Sequence, residues 1–587
     1  MYGFYNKLLR VNLSGKTWTT EEIPDQIFKR YFGGKGLGSY LLNKEVPQGA
    51  DPLGGDNKLI FTTGPATGTK MMGVSRYGLF TKSPLTGIYS ESYSGGHVAP
   101  VIKKTGYDAI IIEGVSEDRI YLEISDTEVR FHSAAHLWGK ETYQTEDSVL
   151  GEVGVEKAQA VVIGPAGENL VRFACIENNY WRSAGRTGVG AVMGSKNLKA
   201  IVFHGQAQCD IANPILMENY VKDLMERGKE NPGARAYRQL GTPMLVKIMN
   251  SVNGFPTRYW QEGFFDKWEN ISADYMQREM DVKPKACDRC FFACGKLTQA
   301  TKGRHKGLKL EGPEYETIYA FGGLCCIDSM EEILYLNDIC DRLGMDTITA
   351  GNLAAFTIEA GKRGAIHYPI EYGDAEAVAH LLHKISQKKD IGEILAEGIV
   401  TASKKWGLED MAIHVKGLEP AGYDPRILKG MGLAYATSDR GACHLRTTFY
   451  KPELSGIIDP DTIQGKAELL VEYEDRLTLY DALILCRFFR DMVLWEDLST
   501  IVEATMGLKM SKEELRKIAS NITNETRKFN IREGVTAKED SLPPRFFQEP
   551  IGPEQKVITP EQLRKMLSDY YRCRGWNEEG IPLSGGV

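Results

Sequence analysis

The chain has 587 residues, and its 42% hydrophobic content is enough for several buried cores. Its formal net charge of −7 excludes nucleic acid as the main partner, because phosphate backbones bind basic surfaces. No run of 18 apolar residues and no signal-peptide pattern occurs, so we predict no membrane span and a cytoplasmic location. The eleven cysteines are odd in number and unevenly spaced, which favours a metal site over a disulfide framework.

The first third of the chain alternates short apolar runs with Gly and Pro turns, a pattern that predicts strands. The runs lie at 58–64, 108–114, 120–125, 160–167 and 199–205. Glycine clusters such as 185–194 allow backbone to approach a ligand closely, although ordinary turns have the same composition. We therefore predict a β-rich base domain over residues 1–207.

From residue 208 onward the apolar residues recur three and four positions apart, which predicts helices. The clearest examples are 217–230, 329–344, 375–387 and 511–530. We predict an α+β fold of three domains, with two mainly helical domains at 208–413 and 414–587. A buried site is expected where the helical domains meet the β-rich base. No internal repeat is recognised.

A CxxCxxxC set, made of Cys287, Cys290 and Cys294, is the strongest local motif. Three thiolates this close together can converge on one metal centre. A [4Fe–4S] cluster takes four cysteines, so a fourth ligand must come from elsewhere in the chain. Spacing alone also allows a zinc site or unligated thiols.

Two acidic turns follow helical stretches, at 341–346 and 481–486. Their Asp acceptors and free backbone groups can bind the N–H donors of a heterocycle, although a plain helix end has the same pattern. In the β-rich part, Arg76 and Arg182 stand in glycine-rich segments suited to anions. The spacing around Arg182 matches neither a P-loop nor a dinucleotide-binding fingerprint.

Two further segments contain acid–base candidates. Glu316 ends the run 311–316, and His444 lies in 439–446. A buried Glu and His can move protons during carbonyl chemistry, but a lone His is usually a structural residue.

Taken together, these segments resemble the aldehyde ferredoxin oxidoreductase family of tungstopterin enzymes. The resemblance covers nearly the whole chain, in order. Its segments are 8–18, 62–69, 76–87, 106–114, 184–201, 287–294, 311–317, 340–347, 423–426, 438–446, 542–550 and 570–576.

The resemblance implies a tungsten or molybdenum atom held by the dithiolenes of two pterins, with Mg²⁺ bridging the pterin phosphates. It also implies that Cys486 is the fourth ligand of one [4Fe–4S] cluster, beside the CxxCxxxC trio. The backbone carbonyls of Tyr93 and Ser183 match the magnesium ligands. The positions that match pterin-binding residues are Arg76, Gly95, Arg182, Ala184, Gly185, Asp341, Met345, Asp346, Arg446, Asp481 and Leu485.

The implied reaction oxidises an aldehyde to a carboxylic acid. His444 would polarise the aldehyde oxygen, and Glu316 would activate water or take the departing proton. Electrons would leave through the cluster to ferredoxin or to a dedicated iron–sulfur subunit. The aldehyde itself is not identified by the sequence.

Two positions depart from the family pattern. Ile484 stands where the second acidic turn usually has Gly, so its backbone is expected to differ. Tyr335 and Asp338 replace the Glu and His that hold an iron at a dimer interface, so we predict no interface iron. Homo- and hetero-oligomers both remain open.

Two alternatives are weighed against this interpretation. The tungsten subunit of a benzoyl-coenzyme A reductase belongs to the same superfamily and uses a cysteine at the metal, for which Cys325, Cys326 or Cys443 is available. The pairing of Glu316 with His444 favours aldehyde chemistry instead. A non-catalytic iron–sulfur or zinc protein would not need 587 residues with arginine sites and two acidic turns.

Overall fold

A computed structural model describes residues 1–583. The predicted α+β class is confirmed: the N-terminal region is rich in strands and the rest of the chain is mainly helical. The strands are β1 Lys7–Asn12, β2 Thr17–Glu22, β3 Leu59–Thr62, β4 Tyr77–Lys82, β5 Tyr89–Ser94, β6 Ala109–Glu113, β7 Ile120–Ile124, β8 Val129–Ser133, β9 Gln159–Val162, β10 Ile176–Asn178, β11 Arg182–Ala184, β12 Leu198–Phe203, β13 Asp281–Lys285, β14 Gly295–Gln299 and β15 Lys309–Glu311.

The helices begin between the strands and dominate after residue 213. They are α1 Asp25–Tyr31, α2 Gly34–Glu45, α3 Val98–Lys103, α4 Thr142–Val153, α5 Pro165–Glu168, α6 Val189–Ser195, α7 Pro214–Glu230, α8 Pro232–Leu240, α9 Leu245–Ser251, α10 Ala273–Glu279, α11 Tyr315–Thr317, α12 Met330–Leu343, α13 Thr347–Lys362, α14 Ala375–Ser386, α15 Ile391–Leu395, α16 Ile399–Trp406, α17 Lys429–Thr437, α18 Tyr450–Leu454, α19 Lys466–Leu483, α20 Trp495–Met506, α21 Lys512–Arg532, α22 Pro544–Gln548 and α23 Pro560–Arg574. A π-helical segment, Ile318–Gly323, continues α11.

The two large sheets have the same topology. The first has the strand order β2-β1-β6-β3-β4-β5, and the second has β8-β7-β12-β9-β10-β11. In each sheet the strand that comes first in the chain pairs in parallel with the strand that comes last in the chain. These pairs are β1 with β6 and β7 with β12. Neither sequence periodicity nor motif spacing had indicated this duplication, so the expectation of no internal repeat was wrong.

The duplicated sheets share one core, because a single hydrophobic cluster contains side chains from both. Val11 and Phe61 come from the first sheet, and Leu122 and Ile201 from the second; all four are fully buried. The edge strands β5 and β11 lie against each other. Residues on these two edges therefore come together where the sheets meet.

The third sheet is a small antiparallel one, with the order β13-β14-β15. The loop from β13 to β14 contains the CxxCxxxC set, so the hairpin holds these cysteines close in space. Among residues 1–583, no helix is both long and apolar enough to cross a membrane. The division at residues 207 and 413 stays a prediction.

Candidate active site

A cavity of about 450 Å³ is lined by both large sheets, the β13–β14 loop and the helical region. Its volume lies in the range of cofactor and ligand pockets. The predicted site residues that line it are Arg76, Tyr93, Gly95, Arg182, Ser183, Gly185, Cys287, Cys290, Cys294, Glu316, Asp341, Met345, Asp346, His444, Arg446 and Cys486. The fold thus brings most of the predicted residues together from distant parts of the chain.

Three predicted residues lie beside the cavity without lining it. Ala184 is buried on β11, opposite Ile176. Asp481 faces an adjoining smaller space. Leu485 is buried, but its carbonyl oxygen accepts a hydrogen bond from Arg76 at 2.9 Å.

The first turn, residues 341–346, ends α12 on the cavity. The helix stops at Leu343, and Gly344 follows in the left-handed conformation, with φ 76° and ψ 59°. The N–H of Met345 donates to the carbonyl of Cys340 at 2.9 Å. This 6→1 hydrogen bond defines a Schellman motif at the C-terminus of the helix. Glycine is the usual residue at the left-handed position of that motif.

The second turn, residues 481–486, ends α19 in the same way. The helix stops at Leu483, and Ile484 follows with φ 61° and ψ 32°. The N–H of Leu485 donates to the carbonyl of Tyr480 at 2.7 Å. The expectation that Ile484 would change this backbone was therefore wrong: a β-branched residue takes the left-handed conformation, at a steric cost.

Each turn packs on one glycine of the duplicated sheets. The tripeptide Gly-Pro-Ala follows β3 and again follows β9. A Cβ atom added to Gly64 would lie 2.4 Å from the carbonyl oxygen of Leu483, and one added to Gly164 would lie 2.4 Å from that of Leu343. Because real Cβ atoms do not approach this closely, glycine is required at both contacts.

The four predicted cluster cysteines line the same cavity. Those at 287–294 come from the β13–β14 loop, and Cys486 closes the second turn. The N–H of Gly96 donates to the Cys287 sulfur at 3.3 Å. A Cβ atom on Gly95 would stand 3.1 Å from the same sulfur, so this glycine leaves room for the loop.

Burial and two nearby arginines act in opposite directions on the pKa values of two of these thiols. Burial raises the pKa of Cys290 to about 12 and raises the pKa values of Cys294 and Cys486 above the usual range. The guanidinium groups of Arg182 and Arg76 oppose that rise. Within residues 1–583, no three His, Cys, Asp or Glu side chains converge as ligands of a single ion. A [4Fe–4S] cube instead takes one cysteine at each of four irons.

A buried ion-pair network lies beside the second turn. Arg446 pairs with Glu91 and, at 2.9 Å, with Asp481, which also pairs with Arg487. Lys35 pairs with Glu91 at 3.0 Å. Nitrogens of Arg446 and Arg487 and one oxygen of Asp481 have no hydrogen-bond partner in the part of the chain described. Buried polar atoms normally have partners, so these unused groups fit a polar ligand.

The first turn has different neighbours. The Asn337 amide donates to Asp341 at 2.9 Å. Burial, followed by the charges of Glu177 and Asp338, raises the pKa of Asp341 well above its usual value. Burial also raises the pKa of Glu177 to about 8. The raised pKa favours the protonated form of Asp341, and that form can donate as well as accept a hydrogen bond.

Glu316 and His444 face the cavity as a pair. The His444 Nε2 atom lies 3.4 Å from a Glu316 carboxylate oxygen, and the other oxygen accepts the Gly422 N–H at 3.0 Å. Burial raises the pKa of Glu316 to about 8. Burial and four nearby arginines, Arg186 first among them, lower the pKa of His444 well below its usual value. A neutral imidazole and a carboxyl that titrates near neutral pH suit proton transfer.

Comparison with known proteins identifies the family to which this chain belongs. Residues 8–205 match the model of the N-terminal domain of aldehyde ferredoxin oxidoreductase, and residues 219–585 match that of its domains 2 and 3. The chain belongs to the aldehyde ferredoxin oxidoreductase family. The tungsten-containing aldehyde ferredoxin oxidoreductase of Thermococcus kodakarensis is 38% identical, over 99% of this chain and 97% of its own. The Pyrococcus furiosus enzyme of that name is 37% identical over the same shares.

Membership of the aldehyde ferredoxin oxidoreductase family makes this chain an oxidoreductase of the tungsten-containing type. Among solved structures, the BamBC active-site complex of benzoyl coenzyme A reductase, with 1,5-dienoyl-CoA, aligns with a TM-score of 0.86. That alignment has 25% sequence identity and covers 99% of this chain and 96% of the other. The fold is therefore common to both kinds of enzyme.

Several site residues of this family member were missed by sequence reasoning. Arg186 lines the cavity and pairs with Asp346 at 2.8 Å, and one of its terminal nitrogens has no hydrogen-bond partner within residues 1–583. Arg490 lines the cavity as well. Arg186 lies in a glycine cluster beside Gly185, which was a usable signal. The repeated Gly-Pro-Ala would likewise have revealed the duplication.

The positions of the absent interface-iron motif have other contacts. Asp338 pairs with Arg342 at 2.7 Å, and the Tyr335 ring stacks on His305 with centroids 4.2 Å apart. The absence of an interface iron stays a prediction.

Proposed function

We propose that this chain oxidises aldehydes to carboxylic acids with a bis-pterin tungsten or molybdenum centre and one [4Fe–4S] cluster. The main support for this proposal is that Glu316 and His444 face the same cavity that the four cysteines line. The unpartnered atoms of Arg446, Arg487 and Asp481 fit the donors and acceptors of a pterin.

The two ends of the cofactor would be held by different sets of residues. Asp341, Met345 and Asp346 would hold one pterin, and Arg446, Asp481 and Leu485 the other. The phosphates would lie near the edge strands, where Arg76, Gly95, Arg182, Ala184 and Gly185 are placed. The carbonyls of Tyr93 on β5 and Ser183 on β11 would bind the bridging Mg²⁺, which prefers oxygen ligands.

When bound, the metal supplies two-electron oxidation and the cluster passes electrons singly to an acceptor. Aldehyde and water give carboxylic acid, two electrons and two protons. The neutral ring of His444 donates a hydrogen bond to the aldehyde oxygen, which makes the carbonyl carbon more electrophilic. Glu316, with its pKa raised by burial to about 8, takes a proton released in the reaction and passes it to solvent.

The substitution Glu316→Gln tests the acid–base role. It should leave tungsten and iron contents unchanged and lower aldehyde-dependent viologen reduction by at least about 100-fold. Glu419→Gln is the control, because Glu419 is also near Arg186 but is fully buried and does not line the cavity. That control should keep its rate within a few-fold. Near-normal turnover of Glu316→Gln would refute the role.

The substitution Cys486→Ser tests the cluster. It should lower the iron content and abolish the cluster's electron paramagnetic resonance signal, while the exposed Cys573→Ser should change neither. Retention of full iron by Cys486→Ser would contradict a fourth ligand at this position.

The electron acceptor is proposed to be ferredoxin or an iron–sulfur subunit. The names of the close relatives include ferredoxin, and the structural neighbour is part of a complex. Reduction of a purified ferredoxin by the enzyme and aldehyde, without added viologen, would support the first acceptor.

Ring reduction of an aryl-CoA is the second candidate, favoured by the structural likeness to benzoyl coenzyme A reductase. Cys325, Cys326 and Cys443, the cysteines considered for the metal, do not line the cavity. The Cys443 sulfur instead accepts a hydrogen bond from Arg440 at 3.0 Å. Oxidation of 1,5-dienoyl-CoA without any aldehyde activity would favour this candidate.

A further inference from the structure

Two arginine side chains, those of Arg426 and Arg490, rank among the largest fully buried side chains of the protein. Arg426 forms two hydrogen bonds to Asp424, at 2.9 and 2.6 Å, and donates to two backbone carbonyls. Arg490 has no carboxylate within salt-bridge distance among residues 1–583. The carboxylate of its neighbour Asp491 is half exposed and lies 3.8 Å from Lys451. The two guanidinium groups are thus equally buried but differ in their charge compensation.

The remaining contacts of Arg490 use only part of its hydrogen-bonding capacity. It donates to the Arg487 carbonyl at 2.9 Å and to the Tyr237 hydroxyl at 3.4 Å. Its guanidinium carbon lies 6.0 Å from the Tyr450 ring centroid, and Nε has no hydrogen-bond partner among the residues that the structure describes. A guanidinium has five N–H donors, and burying its charge without a counter-ion is costly. These contacts leave both a net charge and free donors for a ligand.

An aromatic wall connects Arg490 with the acid–base pair. Arg490, Tyr450, Tyr423 and His444 all line the cavity. The rings of Tyr450 and Tyr423 stack with centroids 4.1 Å apart, and the Tyr423 ring lies 5.6 Å from that of His444. A ligand lying along this wall meets an acid–base group at one end and an unpaired cation at the other.

We propose that Arg490 binds an anionic group carried by the aldehyde substrate, so that the preferred substrates are aldehydes with a carboxylate or a similar anion at the far end. This substrate class rests on the proposed function. An arginine fork binds carboxylates through paired hydrogen bonds, which supplies both affinity and orientation. The stacked tyrosines then contact the carbon chain between the two polar ends.

The main test compares an anionic aldehyde with its neutral analogue. Succinic and adipic semialdehydes and their methyl esters are assayed with viologen as acceptor, for the wild type, Arg490→Met, Arg490→Lys and Lys451→Met. The wild type should have the higher kcat/KM for the acids. Arg490→Met should lower that value about 100-fold for the acids and change it only a few-fold for the esters. Arg490→Lys should restore part of the preference, and Lys451→Met should keep it.

A binding measurement separates this inference from the proposed function. Calorimetry of succinate and adipate should show binding to the wild type and much weaker binding to Arg490→Met, while the dimethyl esters bind neither tightly. If no aldehyde is oxidised, the proposed function fails, and dicarboxylate binding still decides the role of Arg490.

Three results would overturn the inference. The first is equal kcat/KM of the wild type for acids and esters. The second is an equal loss for both in Arg490→Met. The third is a loss of tungsten and pterin from Arg490→Met with unchanged selectivity, which would assign the arginine to a cofactor phosphate. Equal wild-type values for acids and esters overturn the inference without any variant, so a variant that fails to fold does not remove the test.

Discussion

The first and second turns have the same backbone but opposite electrostatic surroundings. Asp341 in the first turn accepts from an amide, and burial followed by the charges of nearby carboxyl groups raises its pKa. Asp481 in the second turn is ion-paired with Arg446 and Arg487. The duplicated sheets thus provide two equivalent supports, and the surrounding side chains make them chemically different. A cofactor with two similar halves would be bound asymmetrically by such a pair.

The last residues of the two turns, Asp346 and Cys486, also differ in their chemistry and contacts. Asp346 caps α13 by accepting the N–H of Ile348 at 3.0 Å, and it pairs with Arg186 at 2.8 Å. Cys486, at the corresponding position, donates its own N–H to the Gly73 carbonyl at 2.7 Å and presents a thiol to the cavity. The second turn therefore ends in the cysteine that we propose as a cluster ligand, while the first ends in the aspartate that caps α13.

The largest expected effect comes from the glycines beneath the turns. Gly64→Ala and Gly164→Ala each place a Cβ atom 2.4 Å from a turn carbonyl, so each turn must move. Both variants should lose tungsten, because each displaces one half of the proposed cofactor site. Only Gly64→Ala should also lose iron, because only the second turn ends in Cys486. Elemental analysis of the soluble proteins measures both metals.

Gly139→Ala provides the control for these variants, since a Cβ there meets no atom within 4 Å although its φ of 90° costs some stability. Loss of iron from Gly164→Ala as well would show that the turns are not independent.

The second effect in size comes from the two aspartates. Asp481→Asn leaves Arg446 and Arg487 without their shared carboxylate, and breaking a buried ion pair costs about 3 kcal/mol of unfolding free energy. Asp341→Asn puts a neutral amide in place of a carboxyl whose pKa is raised in the fold, so near neutral pH it should leave the free energy of unfolding unchanged or raise it. Chemical denaturation near neutral pH measures both, and equal losses would remove the electrostatic distinction between the turns.

Sequence reasoning could identify the parts of this site that are local in the chain. The CxxCxxxC set, the two acidic turns and Arg182 are visible as short motifs, and strand and helix periodicity gave the α+β class. The gathering of Glu316, His444 and Cys486 on one cavity was expected only from family resemblance. Glu316 is more than a hundred positions away from both His444 and Cys486, and local spacing carries no information about such pairs.

Other features depend on tertiary packing and could not be derived from the sequence. Ile484 takes the left-handed conformation, and Gly34 and Gly64 leave space for its side chain; no local preference predicts that. The raised pKa of Asp341 comes from burial first and then from Glu177, which lies on a different element. That Arg490 is buried without a counter-ion in residues 1–583 is likewise visible only from the structure.

The left-handed residues of the two turns can be exchanged as a further test. Ile484→Gly relieves about 1–2 kcal/mol of backbone strain but removes a fully buried side chain, for which losses of about 2–5 kcal/mol are usual. The net loss of unfolding free energy should be about 2 kcal/mol. The reciprocal Gly344→Ala, at φ 76°, adds strain without adding burial and should also destabilise. A more stable Ile484→Gly variant would mean that strain outweighs packing in the second turn.

The smallest effect concerns the pH dependence contributed by Asp341. Its raised pKa means that the folded chain keeps this proton at pH values where the unfolded chain has released it. Stability from this group is complete below pH 3.8, the ordinary pKa, and is lost as pH rises toward the folded value. Asp341→Asn should therefore make the fall in unfolding free energy shallower above that pH, by at most about 1.4 kcal/mol per pH unit. Denaturant titrations at several pH values measure the slope, with the exposed Asp118→Asn as control. An unchanged slope would mean that Asp341 is ionised in the fold, and the two turns would then be electrostatically alike.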